Sequence, residues 1–133
     1  FNHIFGPTFK EPEALLSKTP RLMGLDAKQK MSKSRGNAIF LSDTRPVLSE
    51  KIMKMVTDPA RKRRQDPGDP DVCPLFDLHR VFTEPEARQE LDTGCRTAAI
   101  GCVDCKKELL KRVFPWQNGP ITKRSRRWSK IFW

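Results

Sequence analysis

From residue 43 onward the apolar positions recur with helical spacing. Leu48, Ile52, Met55 and Val56 form one stripe; Thr44 stands where a cap is needed and Pro46 where a first helical turn accepts it. Pro59 disfavours helical geometry in the residue before it, so this helix is expected to end at 57–58. Leu75, Leu78, Val81 and Phe82 give a second apolar face, and Thr83 with Glu86 three residues on reads as a capping box opening a helix over 84–91. Leu109, Leu110, Val113 and Phe114 mark a further helix with lysines on its other side. Between these lie a charged, proline-rich connector (residues 61–64 and the DPGDPD stretch), expected at the surface, and a glycine- and cysteine-bearing segment over 92–103. Residues 1–22 contain three prolines and predict irregular chain with one brief helical turn at 13–16. Beyond residue 36 the pattern is all helical.

The chain has 133 residues, enough for one compact domain with a modest core. It starts at Phe1 rather than methionine and its end differs in composition from what precedes it, so it reads as a fragment. The formal charge of +10 favours polyanionic partners, nucleic acid first among them. Half of that excess sits in residues 115–133, where Lys123, Arg124, Arg126, Arg127 and Lys130 occur with no acid. No apolar run reaches membrane-span length and no signal peptide is evident, so no membrane partner is expected and the setting is read as cytoplasmic. The four cysteines are accordingly expected reduced.

One segment stands apart. Lys28, Lys30, Lys33 and Arg35 crowd together with no acid between Asp26 and Asp43. A charge run is usually a solvated surface loop. Here Gly24 and Gly36 offer hinges on both sides, Ser32 and Ser34 offer hydroxyls, and Lys30 and Lys33 offer ammonium groups that can converge on one polyphosphate.

The letters KMSKS at 30–34, within GLDAKQKMSKSRGNAIFL, resemble the signature loop of class I aminoacyl-tRNA synthetases. With FNHIFG, EPEALL, SEKIMKMVTDP, GDPDVCPLFDLHRVF and GCVDCKKELL in order, residues 1 to about 114 are similar to the bacterial-type tryptophanyl-tRNA synthetases. That resemblance implies a mainly α chain: the C-terminal end of a Rossmann-type α/β nucleotide-binding domain (1–45), a helical anticodon-binding domain (46–114), and a basic aromatic tail (115–133) expected to be disordered. It implies a dimeric parent that activates tryptophan with ATP and Mg2+ and transfers it to tRNA(Trp). Lys30 and Lys33 would be catalytic, engaging the departing pyrophosphate more strongly in the transition state than in the ground state. Met31, Ser32, Ser34 and Asn37 would contact ATP and shape the loop. The family's His-x-Gly-His motif and amino-acid pocket do not occur in these residues, so the chain alone is expected not to form adenylate.

Cys73, Cys95, Cys102 and Cys105 are separated by 21, 6 and 2 residues. Scattered thiols are the ordinary alternative. A Cys-x-x-Cys pair can share one metal, and Cys105 near a helix start gains thiolate character from the dipole. Some bacterial tryptophanyl-tRNA synthetases carry a 4Fe-4S site with spacing 22, 6 and 2, from which this chain departs by one residue. The ranking is therefore 4Fe-4S first, zinc second and free thiols third; zinc stands behind the cluster because structural zinc favours two close pairs. The competing functional class is a non-enzymatic, iron-sulfur or zinc helical module binding nucleic acid. His3 carries no assigned role, His79 is expected as a packed or surface residue, and Met53 and Met55 as helix core.

Overall fold

The computed structural model describes residues 1–17 and 19–129, with side chains to residue 115. Five α-helices follow in order: α1 (Asn2–Phe5), α2 (Arg45–Lys54), α3 (Pro74–Phe82), α4 (Pro85–Arg96) and α5 (Cys102–Ser129). A short 3-10 turn, Lys33–Arg35, precedes α2. Among the described residues no strand forms; the chain ahead of α2 contributes only an isolated antiparallel bridge between Met23 and Lys30.

Helix α5 packs on α2 and α3. The core joins Leu48, Ile52 and Met55 of the α2 region to Leu75, Phe76 and Leu78 of α3, Leu91 of α4, and Cys105, Leu109, Leu110 and Val113 of α5. Each fully buried large apolar side chain contributes about 1.5–3 kcal/mol. Leu22, Leu25 and Ile39 lean on the same core and so anchor both ends of the basic loop to the helices.

Several boundaries differ from the sequence expectation. The predicted turn at 13–16 is not helical, whereas Asn2–Phe5 is, because the Asn2 side chain clasps the Phe9 backbone (Nδ2–O 2.6 Å, N–Oδ1 3.0 Å) while the Phe1 ring meets Phe5 at a tilt and Phe9 edge-on. Helix α2 stops at Lys54, three residues early, since Met55 turns extended and buries its side chain. Met53, expected in the core, points outward with 39% exposure.

The capping box does not form, because Thr83 is drawn inward to the ring of His79 (Oγ1–Nδ1 2.8 Å). His79 Nε2 faces the carbonyl of Cys105 at 3.2 Å and its Sγ at 3.4 Å, so both ring nitrogens have hydrogen-bonding partners. Burial, the largest influence, pushes the His79 pKa down to about 4.

Helix α4 runs past residue 91 to Arg96, placing Cys95 in a helix rather than a loop. Arg96 secures this last turn by gathering Asp92 (3.0 Å), Asp71 (2.6 Å) and Asp69 (3.3 Å). Helix α5 continues beyond Phe114 through Ser129, where disorder was expected from residue 115. A proline removes one backbone bond, and the ladder can resume beyond it. The expectation for residues 130–133 lies outside the described residues.

Candidate functional site: a basic loop and a four-thiol centre

Two clusters of candidate residues are present among the described residues. The first is the loop over residues 24–37. Its base is closed by backbone bonds from Gly24 N–H to Gln29 O (2.8 Å) and Met31 N–H to Leu22 O (2.9 Å). Its interior is organised by Asn37, which is only 4% exposed. Asn37 Oδ1 accepts the Ser32 N–H at 2.9 Å, and Nδ2 donates to Asp26 Oδ1 (3.2 Å) and Lys30 O (3.4 Å). Burial alone would raise the Asp26 carboxyl, but bonds from the Lys28 N–H and the Asn37 amide outweigh it and hold it below the usual range.

Lys30, Lys33, Ser34 and Arg35 are left exposed on the outside, with Ser32 Oγ 3.1 Å from Ser34 Oγ. Gly36, at φ 66°, supplies the left-handed residue that ends the 3-10 turn. Gly24 is not the expected hinge: it is buried, and a Cβ there would collide with the Asn37 amide.

Met31 and Asn37 therefore face inward. Met31 lines an apolar cavity of about 120 Å³ with Leu22, Ile39, Phe40, Leu48 and Ile52, which ties loop to helix. Beyond the loop, Lys51 of α2 reaches Asp43 (2.6 Å) and Ala38 O (3.2 Å) and sits over the Phe40 ring at 4.6 Å.

The second site is assembled from three helix ends. Cys73 precedes α3, Cys95 is in the last turn of α4, and Cys102 and Cys105 open α5. All four are free thiols. Charge on any one of these sulfurs would oppose ionisation of the others. Burial is the leading influence, raising Cys73 and Cys95 and pushing Cys105 up to about 12, with the other three thiols adding to it.

Among the described residues no group of His, Cys, Asp and Glu stands in metal-ligating geometry. The donor chemistry nonetheless suits a thiophilic metal or cluster, whose positive charge would replace the protons these thiols otherwise hold. The surroundings agree. Arg61, 9% exposed, points Nη1 at Cys95 Sγ (3.8 Å), gives Nη2 to Arg64 O and Ile100 O (both 2.8 Å), and leaves Nε without a partner. Gly68 passes so close that a Cβ would lie 2.6 Å from Cys95 Sγ.

Exposed Lys62, Arg63 and Arg64 border a groove of about 310 Å³ that runs past this centre to Gly101 and Asp104. Arg61, Gly68 and Asn37 in its latching role were not legible from the sequence; for Arg61 the only signal was the RKRR run, and for Gly68 the turn-forming DPGDPD.

The family described as tRNA synthetases class I (W and Y) matches residues 1–114. The chain belongs to this family. Among its relatives, this synthetase chain is 44% identical over 131 residues to the tryptophan-tRNA ligase of Aquifex aeolicus, covering 98% of the chain and 33% of that protein. It is 50% identical over 115 residues to the tryptophan-tRNA ligase of Thermotoga maritima, covering 85% of the chain and 34% of that protein.

In three dimensions it is similar to the tryptophanyl-tRNA synthetase of Campylobacter jejuni complexed with ADP and tryptophan, with a TM-score of 0.68, 27% identity, and coverage of 88% of this chain and 36% of that one. The synthetase chain thus spans about a third of the length of the curated relatives it matches. A non-enzymatic module finds no support in these comparisons. Among the described residues no helix is long and apolar enough to cross a membrane.

Proposed function

We propose that this chain is the phosphate-loop and helical portion of a tryptophan-tRNA ligase. In that enzyme tryptophan is joined to AMP from Mg2+-ATP and then to the 3′ end of tRNA(Trp). The observation that carries the reading is the construction of residues 24–37: Asn37 ties the loop from inside, so that Lys30 and Lys33 face outward together. Tryptophan's carboxylate attacks the α-phosphorus, the bond to the bridging oxygen breaks, and negative charge grows on pyrophosphate. Two ammonium groups that meet that charge as it develops lower the barrier. Ser32 and Ser34 supply hydroxyls to phosphate oxygens; Met31 and Asn37 act on loop shape. We assign the exposed 62–64 run to tRNA phosphates, and a homodimeric, cytoplasmic parent to the family resemblance.

We further read Cys73, Cys95, Cys102 and Cys105 as ligands of a 4Fe-4S cluster, with zinc as the second choice. A centre held by four protein thiolates supplies a cross-link among α3, α4 and α5 and leaves no open position for substrate. Arg61 would balance part of its negative charge.

The test is pyrophosphate exchange. The chain alone should show none, and the full-length parent should show tryptophan-dependent exchange that falls about a hundred- to a thousandfold with either Lys30→Ala or Lys33→Ala. An undiminished rate in the double variant overturns the catalytic assignment. Anaerobic purification with iron and zinc analysis tests the thiol centre separately, and a colourless chain with neither metal overturns it.

A further inference from the structure

The two lysines of α2 spend their charge differently. Lys54 pairs with Glu50 one turn away on the same helix, and both side chains are exposed. Lys51 instead reaches off the helix. Its Nζ meets Asp43 Oδ2 at 2.6 Å, where the carboxylate side chain is only 9% exposed, and donates to Ala38 O at 3.2 Å. It also stands 4.6 Å from the centre of the Phe40 ring, within the range of a cation–π attraction. An exposed pair along one helix contributes little, whereas a half-buried ammonium with three partners on one neighbouring segment fixes that segment.

The segment held in this way is 38–43, the chain that leaves the basic loop and enters α2. It is also closed on itself: Phe40 N–H donates to Asp43 Oδ2 at 2.9 Å, and Asp43 N–H donates to Phe40 O at 3.1 Å. Two direct contacts carry its position into the loop. Ala38 adjoins Asn37, whose side chain binds the Ser32 N–H and the Lys30 carbonyl. Phe40 lines the apolar cavity of about 120 Å³ together with Met31, which stands between Lys30 and Ser32.

We infer that Lys51 is a positioning residue for amino-acid activation: it clamps the outgoing arm of the loop to α2 and so fixes where Lys30 and Lys33 meet the leaving pyrophosphate. The inference rests on the phosphate-loop reading above. Lys51 acts through Ala38 and Phe40 rather than on ATP itself. Ammonium groups displaced by about 1 Å from a developing charge can lose about a hundredfold in rate, while ground-state binding made through other groups changes little. The signature is a loss in kcat at nearly constant KM.

The experiment measures tryptophan-dependent pyrophosphate exchange in the full-length parent, with ATP and tryptophan varied separately. Lys51→Met should lower kcat about tenfold or more, with KM for tryptophan within about twofold. Lys51→Arg keeps a charge for Asp43, a donor for Ala38 and a cation over Phe40, and should recover kcat to within about threefold. Asp43→Asn serves where the methionine variant does not fold: it keeps an acceptor for the Phe40 N–H, loses the ion pair, and should lower kcat in the same way. Leu109→Ala weakens the helical core without touching these contacts, and should leave kcat of the folded enzyme within about twofold.

An unchanged kcat in Lys51→Met or, where that does not fold, in Asp43→Asn overturns the inference. A rise in KM at constant kcat overturns it as well, because Lys51 would then be a binding group. An equal loss of kcat in Leu109→Ala overturns it too, since lowered stability would explain both, and failure of arginine to recover kcat overturns the charge clamp. Undiminished exchange in the Lys30→Ala, Lys33→Ala double variant overturns the phosphate-loop reading itself, and the inference with it.

Discussion

Asn37 accepts the backbone N–H of Ser32 through Oδ1 at 2.9 Å, and this bond closes the chain over Lys33, Ser34, Arg35 and Gly36. The same amide donates to Asp26 and to the Lys30 carbonyl, so one nearly buried side chain sets the shape of a loop whose lysines remain in water.

Replacing Asn37 by alanine should therefore release the loop without unfolding the helices. The lost buried hydrogen bonds amount to about 1–3 kcal/mol of local stability. Hydrogen exchange should speed at Ser32 and Leu25 while Ile52 and Leu109 stay protected. Asn37→Asp should do no better, since it sets a carboxylate oxygen against Asp26.

Gly68→Ala tests the thiol centre from outside its ligands. The new methyl would press on Cys95 Sγ from 2.6 Å and displace it from the other three thiols. The expected outcome is a folded chain, by circular dichroism, with markedly less iron or zinc per chain. Equal metal content would show that Cys95 has room the structure does not give it.

Leu109 is fully buried where α5 meets α2 and α3. Leu109→Ala should cost about 2–5 kcal/mol, read as a lowered denaturation midpoint. Val103→Ala, at a residue 51% exposed, should change stability by less than about 0.5 kcal/mol.

Acid should loosen the connector ahead of α3. A hydrogen bond from Arg96, the leading influence, and the nearby charges of Arg96 and Arg80 hold the Asp71 carboxyl below its ordinary value of 3.8, although burial opposes them. A depressed carboxyl contributes stability above its unfolded value and loses that contribution as pH falls through the lower folded value. Asp71→Asn should therefore flatten the acid limb of a stability profile below pH 3.8, and high salt should weaken the difference because the pair is exposed. An acid limb identical in both chains would remove Arg96 and Asp71 from the account.

Candidate chemistry is most legible in the sequence where it is written in neighbouring residues. Lys30, Ser32, Lys33 and Ser34 lie within five positions, and the closing glycine follows two positions later. Cys102 and Cys105 announce themselves by spacing. Thr83 shows the opposite case: with Glu86 it satisfies a local capping pattern, yet its hydroxyl goes to His79, because a buried imidazole without a partner costs more than an uncapped helix start at the surface. Gly24 likewise looks like a hinge and is instead a space for Asn37.

Residue order alone determined that helices would follow a mobile-looking basic loop, since helical periodicity, proline stops and charge runs act over one or two turns. Only the folded chain decided that Lys106 would reach back 53 positions to Met53, that Arg61 would lie against Cys95, and that the four cysteines would sit at three helix ends. The reason is physical: a buried charge or thiol takes whatever partner the packed core brings to it, and that partner is chosen by how α2, α3, α4 and α5 close on one another rather than by its place in the chain.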